Sequence, residues 1–227
     1  MKVSLKTITP DVEKNIVEIA RVSSSRYDKA AEASGLLNYL IRNKHWSPFE
    51  HGFATFEIEC SKAIGIQLIR HRSFTFQELS QRYADVGKIL GEQGMFEPVE
   101  LRRQAENNRQ SSEDVFNPLI DMSRPDCNFR EKHSASLLIH NFFEASKLLY
   151  NKLLEAGVAR EQARLVLPMA TTTKIYMSGS IRSWIHFLEL RDDSHAQKEA
   201  QMIARQIKNI LIDELPVIAK SLSWERQ

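Results

Sequence analysis

The chain has 227 residues, of which 42% are hydrophobic and 26% are charged, so it is long enough for a sizeable buried core. No apolar run approaches the roughly 20 residues of a membrane helix, and the first ten residues lack a secretory hydrophobic segment. The net charge of +2 is too small to indicate a nucleic-acid partner. Two cysteines, Cys60 and Cys127, are too few for a disulfide framework, so we expect a protein of the reducing cytoplasm. Together with the hydropathy and the net charge, this predicts no membrane partner and no nucleic-acid partner.

The first 42 residues predict a strand followed by two helices. Apolar residues at near-alternating positions predict the strand over residues 3–8. Thr9 as the cap and Pro10 as the first helical residue predict a helix to about residue 21. The second helix should begin after Asp28, with an apolar face formed by Ala33, Leu36, Leu37, Leu40 and Ile41.

Residues 44–82 carry most of the polar residues that predict a site. We interpret residues 44–52 as a loop broken by Pro48 and Gly52, and the alternation from Ala54 to Cys60 as a half-buried strand. A helix capped by Ser61 should then place three polar side chains on one face, namely Gln67, Arg70 and His71. The chain should be extended from residue 78, with one face shared by Glu78, Ser80 and Arg82.

The C-terminal half predicts helices around one more strand. Residues 87–131 predict an ordered excursion or lid, and a helix over 132–156 should bury Leu138, Phe142, Ala145, Leu149, Leu153 and Ala156 before it stops at Gly157. Residues 169–177 are rich in Thr, Ile and Tyr, which favours a strand. Ser180 should cap a helix to about residue 190, and an amphipathic helix should begin at Asp192-Asp193-Ser194 and end at Pro216.

Strands do not alternate with helices, and no GxGxxG sequence is present, so we do not expect a Rossmann domain or a P-loop. No composition shift marks a domain boundary. The pattern predicts an α+β fold in which a small antiparallel sheet packs with several helices in a single domain.

The stretch RHRSFTFQELSQR, from Arg70 to Arg82, concentrates three arginines beside apolar residues. Arginine presents a planar fork of donors that matches phosphate and carboxylate oxygens, and a buried arginine needs a partner. A solvated, salt-bridged surface is the simpler explanation of most charged runs. Because Phe74, Phe76 and Leu79 interrupt this run, part of it should be buried beside an anionic ligand.

A second polar group lies at Arg164, Ser180, Arg182, His186, Arg191 and His195. Arg182 and His186 are four residues apart and share a helix face, and Ser180 lies at the positive end of that helix. An ordinary core or surface histidine is the commoner explanation for His186, and an exposed helix arginine is as good an explanation for Arg182.

Two other functions are open to these residues. A serine hydrolase would use Ser80 with His71 and either Asp192 or Asp193, although no GxSxG sequence surrounds Ser80. An RNA-binding or metal-binding module would use the arginines or the seven histidines, although no HExxH spacing occurs and we expect no metal.

The spacing RHR-x7-S from Arg70 to Ser80 resembles the signature of flavin-dependent thymidylate synthases. Three more blocks support the resemblance in the same order, namely HWSPFEH from His45, ARLVLP from Ala163, and ELRDDSHAQ at the end of the helix after Ser180. The matched blocks span most of the chain, and residues 87–131 match least.

The resemblance implies a homotetramer that converts dUMP to dTMP. It implies FAD as the cofactor, 5,10-methylenetetrahydrofolate as the carbon donor and NADPH as the reductant. Cys60 lies on the apolar face of a strand, so no thiol is well placed to act as a nucleophile. Reduced flavin as the hydride source is the consistent alternative.

The resemblance also implies site residues. The flavin should contact Ser47, Glu50, Arg70, His71, Arg72, Glu78 and Ser180, with Arg182, His186 and His195 contributed by other chains. The dUMP should contact Gln67, Arg70, Glu78, Ser80, Gln81, Arg82, Arg164 and Arg191, and the residues closest to the chemistry should be Arg191, Ser80 and His45. Gln77, Ser180 and His186 replace the Asn common in the family at these positions, and each can still hydrogen-bond.

Overall fold

A computed structural model describes residues 1–23, 33–91, 94–108, 111–123 and 131–226. The strands are β1 (Lys2–Ile8), β2 (Phe53–Ser61), β3 (Thr75–Glu78), β4 (Arg102–Gln104), β5 (Ser112–Val115), β6 (Leu119–Asp121), β7 (Lys132–Ser134) and β8 (Thr172–Ser180). The helices are α1 (Val12–Ala20), α2 (Ala33–Arg42), α3 (Lys62–Leu68), α4 (Val86–Leu90), α5 (Ala135–Glu155), α6 (Arg160–Ala163), α7 (Ile181–Arg191), α8 (Lys198–Glu214) and α9 (Pro216–Ser221).

The largest sheet has the strand order β1-β2-β8-β3, and β1 pairs antiparallel with β2, as β3 does with β8. Two smaller antiparallel sheets pair β4 with β5 and β6 with β7. The α+β prediction with small antiparallel sheets is therefore confirmed. None of the helices in the described ranges is long and apolar enough to cross a membrane.

Contacts divide the chain into two compact units. The first comprises Met1–Glu59, Ile64–Glu78 and Lys174–Gln227, and the second comprises Cys60–Ala63 and Leu79–Thr173.

An aromatic cluster forms the centre of the first unit. The Trp184 ring packs edge-on against Phe56 and Phe74, with ring centroids 4.8 and 4.6 Å apart, and its indole N–H donates to the Ala54 carbonyl. The Phe74 ring packs directly on Gly179, where a Cβ atom would lie 2.4 Å from the ring. Only a glycine therefore permits this approach, which anchors the turn between α3 and β3.

The second unit has its own smaller core, formed by Val86, Met95, Tyr150 and Ala163. Strands β4, β5 and β6 lie in the region predicted as an ordered excursion, residues 87–131, and the prediction of order is confirmed for the described part.

Predictions that rest on strong local signals are confirmed. Strand β2 buries Ala54, Phe56, Ile58 and Cys60 on one face, and the Ser180 hydroxyl caps α7 by accepting from the Ser183 N–H. Gly157 ends α5 with φ 84°. The predicted start of the second helix, after Asp28, lies outside the described residues.

The predicted start of α1 is wrong. Thr9 bonds to Phe53, the first residue of β2, instead of capping the helix. Its N–H donates to the Phe53 carbonyl at 2.9 Å, and its hydroxyl accepts from the Phe53 N–H at 3.0 Å. Asp11 adopts the left-handed conformation (φ 48°), and α1 begins at Val12. A contact with a distant strand thus overrides the local helix signal.

The polar residues between Gln67 and Arg82 are also arranged differently from the prediction. Helix α3 ends at Leu68, so Arg70 and His71 lie in the following turn and not on a face shared with Gln67. The extended segment is β3, which ends at Glu78, and residues 80–84 form a turn closed by hydrogen bonds from the Tyr83 and Ala84 N–H groups to the Ser80 carbonyl. The prediction that Glu78, Ser80 and Arg82 share one face of an extended segment is therefore wrong.

Three further boundaries differ from the sequence interpretation. Pro48 does not break residues 44–52 but begins a 3₁₀ helix, Ser47–His51, because proline suits a first helical turn. Residues 132–134 form a strand, and the following strand is Thr172–Ser180. Helix α8 begins at Lys198 and not at Asp192, because the Asp192 carboxylate pairs with Lys208 and Arg205 of α8.

The apolar stripe of α5 is not the core face that was predicted. Helix α5 buries Ser146 and Tyr150 instead, while the side chains of Phe142 and Leu149 are 55% and 48% exposed. A periodic stripe of apolar residues identifies the apolar face of a helix, but it does not identify the element or chain that packs against that face.

Candidate active site

The N-terminus of α7 is held by a carboxylate of the HWSPFEH block. Glu50 Oε2 accepts from the Ser180 hydroxyl at 2.6 Å, and Glu50 Oε1 accepts from Arg182 Nη1 at 2.7 Å. Within a single chain, Ser180 and Arg182 thus already contact the block that begins at His45. The predicted flavin residues Glu50, Ser180 and Arg182 are brought together.

A cleft of about 500 Å³ opens beside this contact, and we call it the α7 cleft. Its lining residues are Lys44, Trp46, Glu50, Ser73, Arg182, Ser183, Ile185, His186 and Glu189. Small-molecule sites usually have volumes of about 300–1,000 Å³. The cations, the Trp46 ring and the helix N-terminus suit a ligand with both an anionic and an aromatic part.

His71 and Arg191 form a second contact between the two polar groups. Arg191 Nε donates to His71 Nε2 at 2.9 Å, and the His71 ring lies edge-on to Phe187 with a centroid distance of 5.0 Å. Burial, then the positive charges of Arg191 and His186, lower the pKa of His71 from 6.5 to about 4. His71 is therefore neutral at pH 7 and can accept this hydrogen bond.

Burial also lowers the pKa of Arg191 from its ordinary value. Among the described residues, no carboxylate pairs with the Arg191 guanidinium, whose partner is the neutral His71. A half-buried cation without a carboxylate partner can bind an anionic or carbonyl oxygen of a ligand.

The low pKa of His71 predicts a pH dependence of stability. Between pH 6.5 and about 4 the unfolded chain takes up a proton at His71 that the folded chain does not. This contribution to stability is therefore complete above about pH 6.5 and decreases as the pH falls to about 4. In His71→Gln the unfolding free energy, measured in urea, should fall less over this range. Equal slopes for His71→Gln and wild type would refute the prediction.

The loop between α7 and α8 contains one more predicted residue, His195, and contacts another, Gln67 of α3. The His195 N–H and ring both bond to Asp193 Oδ1, at 2.8 and 2.7 Å, and Gln67 Nε2 donates to Gln197 Oε1 at 2.5 Å. Burial alone would raise the pKa of Asp192, but hydrogen bonds from Lys208 and Arg205 lower it below its ordinary value. The loop is thereby tied to α8.

Four predicted dUMP residues lie in the second unit. Arg82 lies 3.6 Å from the Glu161 carboxylate, and Arg164 Nε donates to the Glu161 carbonyl at 3.3 Å. Glu161 thus brings two arginines that are 82 positions apart to one place. Gln81 is buried and Ser80 is half-buried in the adjoining turn.

The remaining predicted residues lie in the loop before β2 and near β3. Ser47, Arg70 and Arg72 are exposed, and Glu78 is half-buried at the end of β3. The exposed His45 ring lies edge-on to Tyr39, with centroids 5.8 Å apart.

The geometry does not favour a serine hydrolase. His71 Nε2 is occupied by Arg191, and the Asp192 carboxylate by Arg205 and Lys208, so neither is arranged for a serine triad. In the described ranges, no group of three or more His, Cys, Asp or Glu residues could hold a metal ion.

Several residues of this geometry were not predicted from the sequence. Lys44 and Trp46 line the α7 cleft, Glu161 positions two arginines, and Gln197 positions Gln67. Trp46 lies inside the HWSPFEH block and Gln197 inside ELRDDSHAQ, so these two could have been included. Nothing in the local sequence distinguishes Lys44 or Glu161.

Comparison with known proteins agrees with this geometry. The family model described as "Thymidylate synthase complementing protein" matches residues 4–217. A probable flavin-dependent thymidylate synthase of Paramecium bursaria Chlorella virus 1 is 43% identical over 213 residues, 93% of this chain and 91% of that protein. The flavin-dependent thymidylate synthase of a Synechocystis strain is 39% identical over 209 residues, 92% of this chain and 88% of that protein.

A solved structure is similar over nearly the whole fold. It is the UMP/dUMP methylase PolB of Streptomyces cacaoi bound with 5-Br dUMP, with a TM-score of 0.73 and 28% identity over 98% of this chain and 94% of that one. Together with the family match over residues 4–217, these similarities show that the chain belongs to the flavin-dependent thymidylate synthases.

Proposed function

We propose that this chain converts dUMP to dTMP, with 5,10-methylenetetrahydrofolate as the carbon donor, FAD as the cofactor and NADPH as the reductant. Membership of the flavin-dependent thymidylate synthase family carries the proposal. The new methyl group needs one carbon from the folate, a hydride, and loss of the proton at C5 of uracil. Bound flavin supplies the hydride, and the protein supplies binding and orientation.

The flavin site is proposed at the α7 cleft and the adjoining turn. Its residues would be Ser47, Glu50, Arg70, His71, Arg72, Glu78, Ser180, Arg182, His186 and His195. The cleft volume, the Arg182 cation and the Trp46 ring support this proposal, because FAD combines an anionic diphosphate with flat rings.

The dUMP residues would be Gln67, Arg70, Glu78, Ser80, Gln81, Arg82, Arg164 and Arg191. The neighbouring Arg82 and Arg164 suit the doubly charged phosphate, and the half-buried Arg191 suits a uracil carbonyl. Arg191, Ser80 and His45 would lie closest to the chemistry.

The direct test is dTMP formation by purified protein with dUMP, methylenetetrahydrofolate, FAD and NADPH in the absence of oxygen. We expect dTMP only when all four are present. Flavin-loaded protein that forms no dTMP in the complete mixture would refute the proposed reaction.

A cysteine nucleophile is not part of this proposal. Cys60 is fully buried on the apolar face of β2, and Cys127 lies outside the described residues. Because a buried apolar thiol is unreactive, Cys60→Ala should retain wild-type kcat per folded molecule and lose only about 1–2 kcal/mol of stability. Rates are measured on protein whose folded fraction is known from circular dichroism. A folded Cys60→Ala protein without turnover would indicate covalent catalysis by this thiol.

We also propose a homotetramer of a single functional domain that works in a reducing cytoplasm. Several large apolar side chains of α5 are exposed in one chain, namely Leu137, Phe142, Leu148 and Leu149. An apolar face of this kind usually marks an interaction surface, and further copies of this chain would cover it.

The Leu149→Glu change should therefore weaken the tetramer. A carboxylate in an apolar interface loses hydration without gaining a partner. Multi-angle light scattering should show smaller species at concentrations where wild type is tetrameric. Lys220→Glu also adds a carboxylate, but at an exposed residue of α9 and not on α5, and should remain tetrameric. A tetrameric Leu149→Glu protein would show that this stripe is not the interface.

A further inference from the structure

Lys44 adopts a backbone conformation that lysine rarely adopts. It follows α2 with φ 57°, its N–H donates to the Ile41 carbonyl, and the His45 N–H donates to the Leu40 carbonyl. These two hydrogen bonds define a Schellman motif with Lys44 at its left-handed position. Glycine is usual there, because a Cβ atom is disfavoured at positive φ.

Two other helices of the chain end in the same way. Helix α5 ends with Gly157 (φ 84°), and α9 ends with Ser223 (φ 54°), each with the same pair of hydrogen bonds. The motif thus does not require a lysine, and Gly157 shows the residue that suits it best. The helix end alone therefore gives no reason for a long, charged side chain at residue 44.

The location of Lys44 supplies a reason. Lys44 lines the α7 cleft together with Arg182 and His186. The two carboxylates of the cleft are already engaged, since Glu50 binds Ser180 and Arg182, and Glu189 lies 3.6 Å from the His186 ring. Within the described ranges, no carboxylate lies within ion-pair distance of the Lys44 ammonium group. Its charge is therefore available to a ligand.

We propose that Lys44 binds a phosphate group of a dinucleotide in the α7 cleft. This inference rests on the proposed function, which places FAD there. An ammonium group is a compact point charge that suits a phosphate, and the amide groups at the start of α7 add to the positive potential. The phosphate belongs either to the diphosphate of FAD or to NADPH, and the two sources are distinguished by experiment.

The Lys44→Gly change should have two effects of opposite sign. Removing the Cβ atom from the left-handed position should raise the Tm by about 1–3 °C. Removing the ammonium group should weaken dinucleotide binding about tenfold. If Lys44 had only a structural role, the Lys44→Gly protein would not combine a higher Tm with weaker cofactor binding. Ser223→Gly is the matched control, because the same motif at the end of α9 should give the rise in Tm with no change in binding.

Two titrations decide the source of the phosphate. Apoprotein is titrated with FAD by fluorescence, and KM for NADPH is measured at saturating FAD. A tenfold rise in Kd for FAD assigns Lys44 to the flavin diphosphate, whereas an unchanged Kd with a tenfold rise in KM assigns it to NADPH. If wild type binds FAD and Lys44→Gly changes neither value, or lowers the Tm, the inference fails while the proposed function stands. If wild-type apoprotein does not bind FAD, the proposed function fails and the inference fails with it.

Discussion

Replacing Arg191 by alanine should lower kcat for dTMP formation by about 10²–10³-fold, the usual effect of losing a donor that stabilises charge in a transition state. Arg191 is a half-buried guanidinium whose partner among the described residues is the neutral His71. Its remaining donors are therefore available to a uracil carbonyl, where negative charge develops as C5 becomes nucleophilic.

Two controls make this result specific. Arg191→Lys keeps the charge but loses the planar fork, so it should recover only part of the rate. Arg226→Ala removes an arginine from an exposed ion pair with Asp213 and should leave the rate unchanged. A folded Arg191→Ala protein with wild-type kcat would exclude Arg191 from the chemistry.

Replacing Glu50 by glutamine should weaken FAD binding by about ten- to a hundred-fold, which corresponds to about 1.5–3 kcal/mol for a charged hydrogen bond. Glu50 holds both the Ser180 hydroxyl and the Arg182 guanidinium at the start of α7. An amide can accept one of these bonds but pairs poorly with the arginine. The cations of the α7 cleft would then no longer be fixed before the ligand arrives.

Fluorescence titration of apoprotein with FAD measures this effect. The control Glu59→Gln breaks a carboxylate–lysine pair with Lys174 on the sheet and should bind FAD as wild type does. Equal Kd values for wild type and Glu50→Gln, with the fold intact, would mean that Glu50 does not organise the flavin site.

Features set by neighbouring residues could be predicted from the sequence. The alternation of β2 gave the correct buried face, and Ser180 was correctly identified as the cap of α7, because both depend on periodicity and on local hydrogen bonds. Four blocks of motif also sufficed to identify the family.

Features set by distant contacts could not be predicted. Thr9 bonds to Phe53 and not to α1, and Glu161 brings together Arg82 and Arg164, which no spacing indicates. The Phe142–Leu149 stripe of α5 has the periodicity of a core face but is exposed in one chain. Periodicity alone does not distinguish a face that packs within the same chain from one that packs against another chain. The left-handed conformation of Lys44 could not be predicted either, because lysine rarely adopts positive φ.

A single turnover without free reductant tests the central claim most directly. The enzyme's flavin is reduced chemically, oxygen and residual reductant are removed, and dUMP and methylenetetrahydrofolate are added. We predict that the absorbance of oxidised flavin returns only when both substrates are present, with about one dTMP formed per flavin reoxidised. The account would be contradicted by dTMP that forms equally well with oxidised flavin, or by reduced flavin that stays reduced while both substrates are present.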